Sequence, residues 1–417
     1  MNKMSISKRV AFEYGYAVRV NDENTGQYPV YGSNGITGYI DSYKVEGPGV
    51  IIGRKGSVGK ITYAKKHFTP TDTAYYLRLL DSNKDNMCFW YYFLGTLGLD
   101  KLNTHSAVPG LSRSIAYLLE VKIPEKIDQL KIAKVLSLLD SKIALNNKIN
   151  TELEAMAKLI YDYWFVQFDF PGANGKPYKS AGGKMVYNEA LKREIPKGWG
   201  VKELNQCVDA ILDHRGKTPR KLGGDWTERE DGIIALSAKL VKGGKLCNLE
   251  KANKVDQAMF DKWMPEKLRD GDILMTSEAP AGEFYFIHGK TDYCMSQRLF
   301  AIRAKQTLLA PTYLYYELSK GHGYSQILGS LSGSTVFGIR QDVLRTIKVV
   351  VPDFALQKKF DRFVLPQLKQ IKNLDQENLE LSKLRDWLLP MLMNGQVTVK
   401  GTHQYKKGKL KHGSSIL

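Results

Sequence analysis

The sequence is short of the residues that staple or metallate a fold. Its four cysteines, Cys88, Cys207, Cys247 and Cys294, lie tens of residues apart with no C-x-x-C pair, so neither a disulfide framework nor a structural zinc is expected. The seven histidines are scattered without H-E-x-x-H or comparable ligand spacing. There is no apolar run of membrane-spanning length and no amino-terminal apolar stretch like a signal peptide, so a soluble, cytoplasmic chain is expected. Acid is scarce relative to base. Against 61 Lys and Arg stand 43 Asp and Glu, a formal charge of +18, which suggests a polyanionic partner with nucleic acid as the leading candidate. At 417 residues, two or three domains are expected rather than one core.

A phosphate-binding loop is nearly present but fails. In "GRKGSVGKI", Gly53 to Ile61, a Walker A spacing requires glycine where Arg54 stands and Ser or Thr where Ile61 stands. The flanks "GVII" and "ITYA" both read as strands, whereas a phosphate loop must open a helix. The stretch is therefore a glycine-rich turn between strands. No Asn-Pro-Pro-Tyr-like methyltransferase motif and no metal-dependent nuclease carboxylate set stands out, so the expectation is a chain without a catalytic site or a bound metal.

What the chain does contain is an internal repeat. Residues 105–132 align with 333–360 at a constant offset of 228, matching Ser106 with Ser334, Val108 with Val336, Gly110 with Gly338, Pro124 with Pro352 and Gln129 with Gln357. The turn belongs to the same repeat: "GVIIGRKGSVGKITY" aligns with "DILMTSEAPAGEFYF", Asp272 to Phe286, at an offset of 223. Gly59 falls on Gly282, while Arg54, Lys55 and Lys60 give way to Ser277, Glu278 and Glu283. A strand-turn-strand scaffold that reverses its charge behaves as a specificity loop.

Each repeat has a β-rich part followed by a helical part. Turn residues between short apolar strands fill Tyr28 to Tyr39, and Ala74 to Leu80 is a further strand. From Glu125 to Phe170 there is no Gly or Pro, and Leu136, Leu139, Ile143, Ile149, Leu153, Met156 and Ile160 follow helical spacing, interrupted near Asn146, Asn147 and Asn150. The second copy places Val364, Ile371, Leu381, Leu384 and Leu388 at matching positions, with Asn378 on Asn150. Pro366 is expected to break or restart that second helix. Two matched stripes, each with an asparagine at the same position, predict an intramolecular coiled coil whose register a buried asparagine sets; an exposed asparagine is the alternative. At 1.5 Å per residue, a helix of about 40 residues spans roughly 60 Å, more than the roughly 34 Å of one DNA turn. Two globules on such a spacer would read two short, different sites across an ignored gap.

At this point the chain resembles a known family, the specificity subunits of type I restriction-modification systems. "YPVYGSNGITGY" followed by "GVIIGRKGSVGKITYA" resembles the body of a target-recognition domain, and "EIPKGWGVKEL", Glu194 to Leu204, the opening of a second. The region from Ile123 to Pro171, with its aromatic "YDYWFVQFDF", is similar to the central conserved region, and "LLPMLMNGQV" to the end of the distal conserved helix. The resemblance implies an α+β fold: two β-rich target-recognition domains separated by two long conserved helices in an antiparallel intramolecular coiled coil with pseudo-twofold repeat. The expected division is 1–124 for the first recognition domain, 125–170 for the central helix, 171–195 for a linker, 196–352 for the second recognition domain, 353–397 for the distal helix, and 398–417 for a basic, disordered tail bearing Lys406, Lys407, Lys409 and Lys411. The first domain lacks the Pro-x-Gly-Trp lead of the second, so a shorter edge strand is expected there.

The resemblance also implies partners: double-stranded DNA, two methyltransferase subunits and, through them, restriction and motor subunits. S-adenosylmethionine, ATP and Mg²⁺ would be used by those subunits and none by this chain. Candidate DNA contacts in the first half are Arg54, Lys55, Ser57 and Lys60, since arginine pairs with guanine and lysines neutralise phosphates, together with Ser33 and Asn34. In the second half they are His214, Arg215, Lys217, Arg220 and Lys221, then Ser237, Lys239, Ser277 and Glu278. Solvated hairpin tips and a flexible basic loop are the alternative readings of these residues. Trp164, Phe165, Phe168 and Phe170 would serve equally as core or as a methyltransferase dock. Two other functions use the same features: a coiled-coil protein-interaction adaptor, which the charge disfavours, and a stand-alone repressor.

Overall fold

A computed structural model of the chain describes residues 3–20, 25–102, 110–172, 174–289, 291–333 and 337–399. The repeat positions Ser106, Val108, Ser334 and Val336 and the basic tail lie outside these residues. The chain forms two compact units, Met1–Asn147 with Asp375–Leu417, and Lys148–Leu374.

In the first unit, β1 (Met4–Ser5), β2 (Val10–Tyr14), β3 (Tyr28–Gly32), β4 (Gly35–Ile40), β5 (Gly49–Gly53), β6 (Ile61–Ala64), β7 (Thr69–Pro70) and β8 (Ala74–Leu79) are followed by helix α1 (Met87–Gly95) and β9 (Glu120–Val121). A four-stranded antiparallel sheet runs β2-β8-β5-β6, and a three-stranded sheet runs β4-β3-β7 with β3 and β7 parallel. Alternation puts Val50 and Ile52 on the face that α1 covers with Phe89, Trp90 and Phe93.

The second unit repeats this plan. Its hairpin β10 (Met185–Asn188) and β11 (Arg193–Pro196) leads to β12 (Gly200–Glu203), β13 (Val208–Asp213), β14 (Ile233–Leu236), β15 (Lys254–Val255), β16 (Ile273–Thr276), β17 (Phe284–Phe286), β18 (Cys294–Met295), β19 (Leu299–Ala304) and β20 (Lys348–Val351). The four-stranded sheet runs β13-β19-β16-β17 and the three-stranded sheet β15-β14-β18, again with one parallel pair. A helix in the place of α1, α2 (Pro311–Ser319), buries Tyr313 and Leu314 against Ile273, Met275, Phe300 and Ile302. Within 171–195, the stretch expected as a linker, the hairpin buries Leu191 and places Ile195 beside Phe168 and Val350. The two edge ladders differ: β1 pairs with β9 over two residues and β12 with β20 over four.

Two long helices complete the units. α3 spans Lys126–Tyr161 and passes into a π-helical turn at Asp162–Val166; α4 spans Phe354–Met393 without interruption. The expected break at Pro366 is therefore corrected. Pro366 and Arg362, whose carbonyl loses its intrahelical donor, are both exposed to solvent, and Val364 and Ile371 stay buried around them. Along α3, Leu136, Leu139, Ile143, Asn146, Asn150, Leu153, Ala157 and Ile160 form an unbroken 3-4 alternation of buried or half-buried positions. Along α4 the same alternation runs through Val364, Gln367, Ile371, Leu374, Asn378, Leu381, Arg385, Leu388 and Leu392. Met156 and Leu384, expected on the seam, are corrected: they are 53% and 43% exposed, one position out of phase, and Ala157 and Arg385 take their places.

Polar contacts show the antiparallel pairing. In the first unit Asn146 Nδ2 donates to Glu377 Oε2 (2.8 Å) and Asn378 Oδ1 (3.0 Å), Asn378 Nδ2 donates to Asn147 Oδ1 (3.0 Å), and Arg385 pairs with Asp140 (2.9 Å). In the second, the rings of Tyr161 and Trp164 meet Phe360 at 6.2 and 6.3 Å. Trp164, Phe165 and Phe168 are buried, so of the two readings of this aromatic run the core one holds for them.

The repeated glutamine has a mechanical role. Gln129 accepts from the Asn86 amide (2.8 Å) at the start of α1 and donates to the Pro124 carbonyl (2.9 Å). Gln357 accepts from the Ala310 amide (2.8 Å) at the start of α2 and donates to the Pro352 carbonyl (2.9 Å). Both glutamines are fully buried. Gln357→Leu would strand the Ala310 amide without a partner and is expected to lower stability by about 1–3 kcal/mol, measured by urea unfolding.

Candidate nucleic-acid interface

The β5–β6 turn is built from its backbone. The Gly53 amide donates to the Lys60 carbonyl and the Gly59 amide to the Gly53 carbonyl, both at 2.8 Å. Gly59 closes the turn at φ +74°, where a Cβ would stand 2.2 Å from the Asp100 nitrogen, so glycine is required on both counts. The Arg54 and Lys55 amides donate to the Thr73 carbonyl, the Arg54 carbonyl accepts from Leu111 (2.9 Å), and Lys55 bridges Gly110. With the main chain held, the side chains of Arg54, Lys55, Ser57 and Lys60 are left to vary.

The second unit reproduces most of these contacts. Thr276 donates to Glu283 (2.9 Å), Gly282 to Thr276 (3.0 Å), Ser277 to Arg298 (3.0 Å) and Ile339 to Ser277 (2.9 Å), while Glu278 bridges Gly338. Gly282 has φ +85°. The turn aligned by sequence is thus the same turn in three dimensions.

Around the first turn the candidate residues come together. Lys60 Nζ donates to Asn34 O (2.8 Å) and Oδ1 (2.7 Å), tying the turn to the β3–β4 tip, and Ser33 N donates to Thr73 Oγ1 (3.3 Å). Bidentate recognition of adenine by an asparagine uses the same amide oxygen that accepts from Lys60 here. Arg54 lies with its guanidinium 4.8 Å from the Tyr14 ring and 5.7 Å from the Tyr75 ring. Arg113 lies 4.8 Å from the same Tyr14 ring. Tyr14 and Arg113 carry no motif of their own in the sequence: they stand 40 and 59 residues from Arg54 and join the site only through folding. The signal available was Arg113's place three residues after Gly110, the glycine that bridges the turn.

The second set is more dispersed. Arg215 pairs with Asp213 (2.7 Å) and lies 5.2 Å from the Phe300 ring. Lys217, Arg220, Lys221 and Lys239 are exposed, Arg220 lying 3.8 Å from Asp225, and Ser237 is half-buried at the start of a short helical turn. Two candidates are corrected. His214 is buried at 5% exposure, with Nδ1 lacking a hydrogen-bond partner, and Ser277 is buried at 3% with its amide and carbonyl both engaged, so neither side chain faces outward to meet a duplex. Glu278 is ion-paired with Arg298 at 2.8 Å.

The comparisons with known proteins agree with this geometry. The chain matches the family described as the type I restriction modification DNA specificity domain over residues 13–155 and 196–383. It belongs to that family. It is similar to the type I restriction enzyme MjaIX specificity subunit of Methanocaldococcus jannaschii, 23% identical over 353 residues, covering 84% of this chain and 78% of the relative. The MjaVIII specificity subunit of the same organism is 24% identical over 409 residues, covering 92% and 89%. Among solved structures, the type I restriction-modification S subunit from M. genitalium shares the fold with a TM-score of 0.64 at 17% identity, covering 94% of this chain and 96% of that one. No helix among the described residues is long and apolar enough to cross a membrane.

Burial, reinforced by Lys217 and opposed by Asp213, pulls the His214 imidazole down to about 4. Between the ordinary value of 6.5 and about 4, the unfolded chain binds a proton that the folded one refuses, so stability falls as pH drops through that window. The His214 ring resonances are expected to stay at their neutral positions from pH 8 to 5 in an NMR titration; a midpoint near 6.5 would place the ring in solvent.

Proposed function

We propose that this chain is the DNA-specificity subunit of a type I restriction-modification complex, reading an asymmetric, bipartite target through one recognition turn in each unit. The observation that carries the reading is the duplicated turn: matching main-chain bridges, Lys55 to Gly110 and Glu278 to Gly338, carry a basic side chain in one copy and an acidic one in the other. Different side chains at one position of a shared scaffold favour two different half-sites. The chain contributes recognition and scaffolding, without catalysis of its own; methyl transfer from S-adenosylmethionine, and ATP- and Mg²⁺-dependent cleavage where restriction subunits are present, belong to its partners.

Scaffolding of two methyltransferase subunits is supported by a second repeated feature. Met156 and Leu159 on α3 are 53% and 67% exposed, and their equivalents at the offset of 228, Leu384 and Trp387 on α4, are 43% and 56% exposed. An apolar pair displayed once in each unit suits two copies of one partner.

Co-expression with a neighbouring methyltransferase, followed by selection from random duplex DNA, is expected to yield a stable complex that enriches a split motif with an unspecified gap. No complex, or enrichment of a single continuous motif, would overturn the reading. Met156→Glu combined with Leu159→Glu is expected to reduce the partner count from two to one by light scattering while leaving the melting temperature almost unchanged, since both side chains are exposed.

A further inference from the structure

Three segments distant in sequence meet at Tyr14. The ring stands at the end of β2, cross-strand from Tyr75 and 46% exposed. Arg54 reaches it from the recognition turn and Arg113 from the short helix Arg113–Ala116, each guanidinium carbon 4.8 Å from the ring centroid. Each is also held by a main-chain carbonyl, Arg54 by Asp72 (3.2 Å) and Arg113 by Phe12 (3.4 Å). Sharing one centroid, the two charges are at most 9.6 Å apart, within the screening length of about 10 Å at 0.1 M salt, so they repel. Among the described residues, neither has a carboxylate partner within ion-pair distance.

The second unit shows what a compensated version looks like. Phe300 occupies the sheet position of Tyr75, and its cross-strand partner, in the place of Tyr14, is Asp213. Arg215 lies over Phe300 as Arg54 lies over Tyr75, but Asp213 neutralises it at 2.7 Å. The first unit keeps the guanidinium over the ring, adds a second, and replaces the acid with a tyrosine. The repulsion is thereby left for a ligand to relieve.

We propose that Arg54 and Arg113, mounted on Tyr14, form a clamp for one backbone phosphate of the DNA duplex. A guanine edge accepts a single guanidinium at O6 and N7, whereas two guanidinium groups at most 9.6 Å apart suit a full negative charge with more than one free oxygen. The inference rests on the DNA-binding reading above and names a contact within it. Arg113 and Tyr14 are positioning residues here: they set where the recognition turn stands on the duplex and carry no sequence information themselves.

The test uses the full-length chain with its co-expressed partner and a duplex carrying the selected motif. Arg113→Ala is expected to weaken binding about tenfold to a hundredfold, equally for target and unrelated duplexes, and to make the slope of log K against log salt shallower by about 0.9. Tyr14→Asp, which copies the second unit's neutralisation while keeping both arginines, is expected to do the same. A scan with single methylphosphonates should find one position that weakens the wild type more than it weakens Arg113→Ala. Relaxed preference at one base pair with an unchanged salt slope would overturn the clamp in favour of base reading, as would wild-type affinity in both variants. Wild-type protein that binds no duplex would instead sink the underlying DNA-binding reading.

Discussion

A main-chain amide on a main-chain carbonyl, Leu111 on Arg54 in one unit and Ile339 on Ser277 in the other, fixes where each repeated turn stands. Every residue type except proline supplies those groups, so the anchor places almost no demand on the side chains beside it. The one side-chain demand is for glycine at the close of the turn, where Gly59 and Gly282 both take positive φ. This division explains how one scaffold carries Arg54 and Lys55 in its first copy and Ser277 and Glu278 in its second. It also explains why the sequence resembles a phosphate loop: glycines that shape a strand-to-strand turn and glycines that wrap a phosphate answer the same backbone requirement in different folds.

The long helices obey a stricter rule. An apolar seam alone would tolerate sliding by a heptad, since leucine against leucine looks the same one repeat away. Asn146 against Asn378, and Arg385 against Asp140, match in one register and leave polar groups unpaired in others. Such pairs stabilise less than leucines of similar size would, because desolvation offsets much of what the contact returns. Their contribution is specificity of alignment. Two helices that carry matching features at repeated positions depend on that alignment more than on another kilocalorie of stability.

Much of the architecture was legible because it is written twice. The equivalence of Gly110 with Gly338 and of Gln129 with Gln357 turned out to be the equivalence of a turn bridge and of a helix-start clamp. Side-chain size is a poorer guide than phase. Choosing Met156 and Leu384 for the seam favours large apolar residues over phase, yet the continuous 3-4 alternation runs through Ala157 and Arg385, which look unsuitable in isolation. Pro366 marks a break only if its freed carbonyl must be satisfied inside the protein, and in this helix it faces solvent. The site was less legible than the fold. That His214 and Ser277 are buried depends on the sheet and loops around them, and the meeting of Tyr14, Arg54 and Arg113 depends on closing segments some 40 and 59 residues apart in sequence.

The excess of base is not distributed as a uniform coating, and its pairing has physical consequences. In the second unit Arg215, Arg229, Arg298 and Arg340 each sit beside a carboxylate. To contact a phosphate, such an arginine exchanges one anion for another, so little net charge is neutralised and few counterions are released. The exchange succeeds only where the geometry of the new contact surpasses that of the old. Arg54 and Arg113 in the first unit have no such partner among the described residues, and a phosphate that meets them gains the full attraction of two cations already held in place. Free cations favour attraction that any duplex satisfies, while paired ones favour discrimination. Both are needed by a protein that must first settle on DNA and then distinguish one site from the rest.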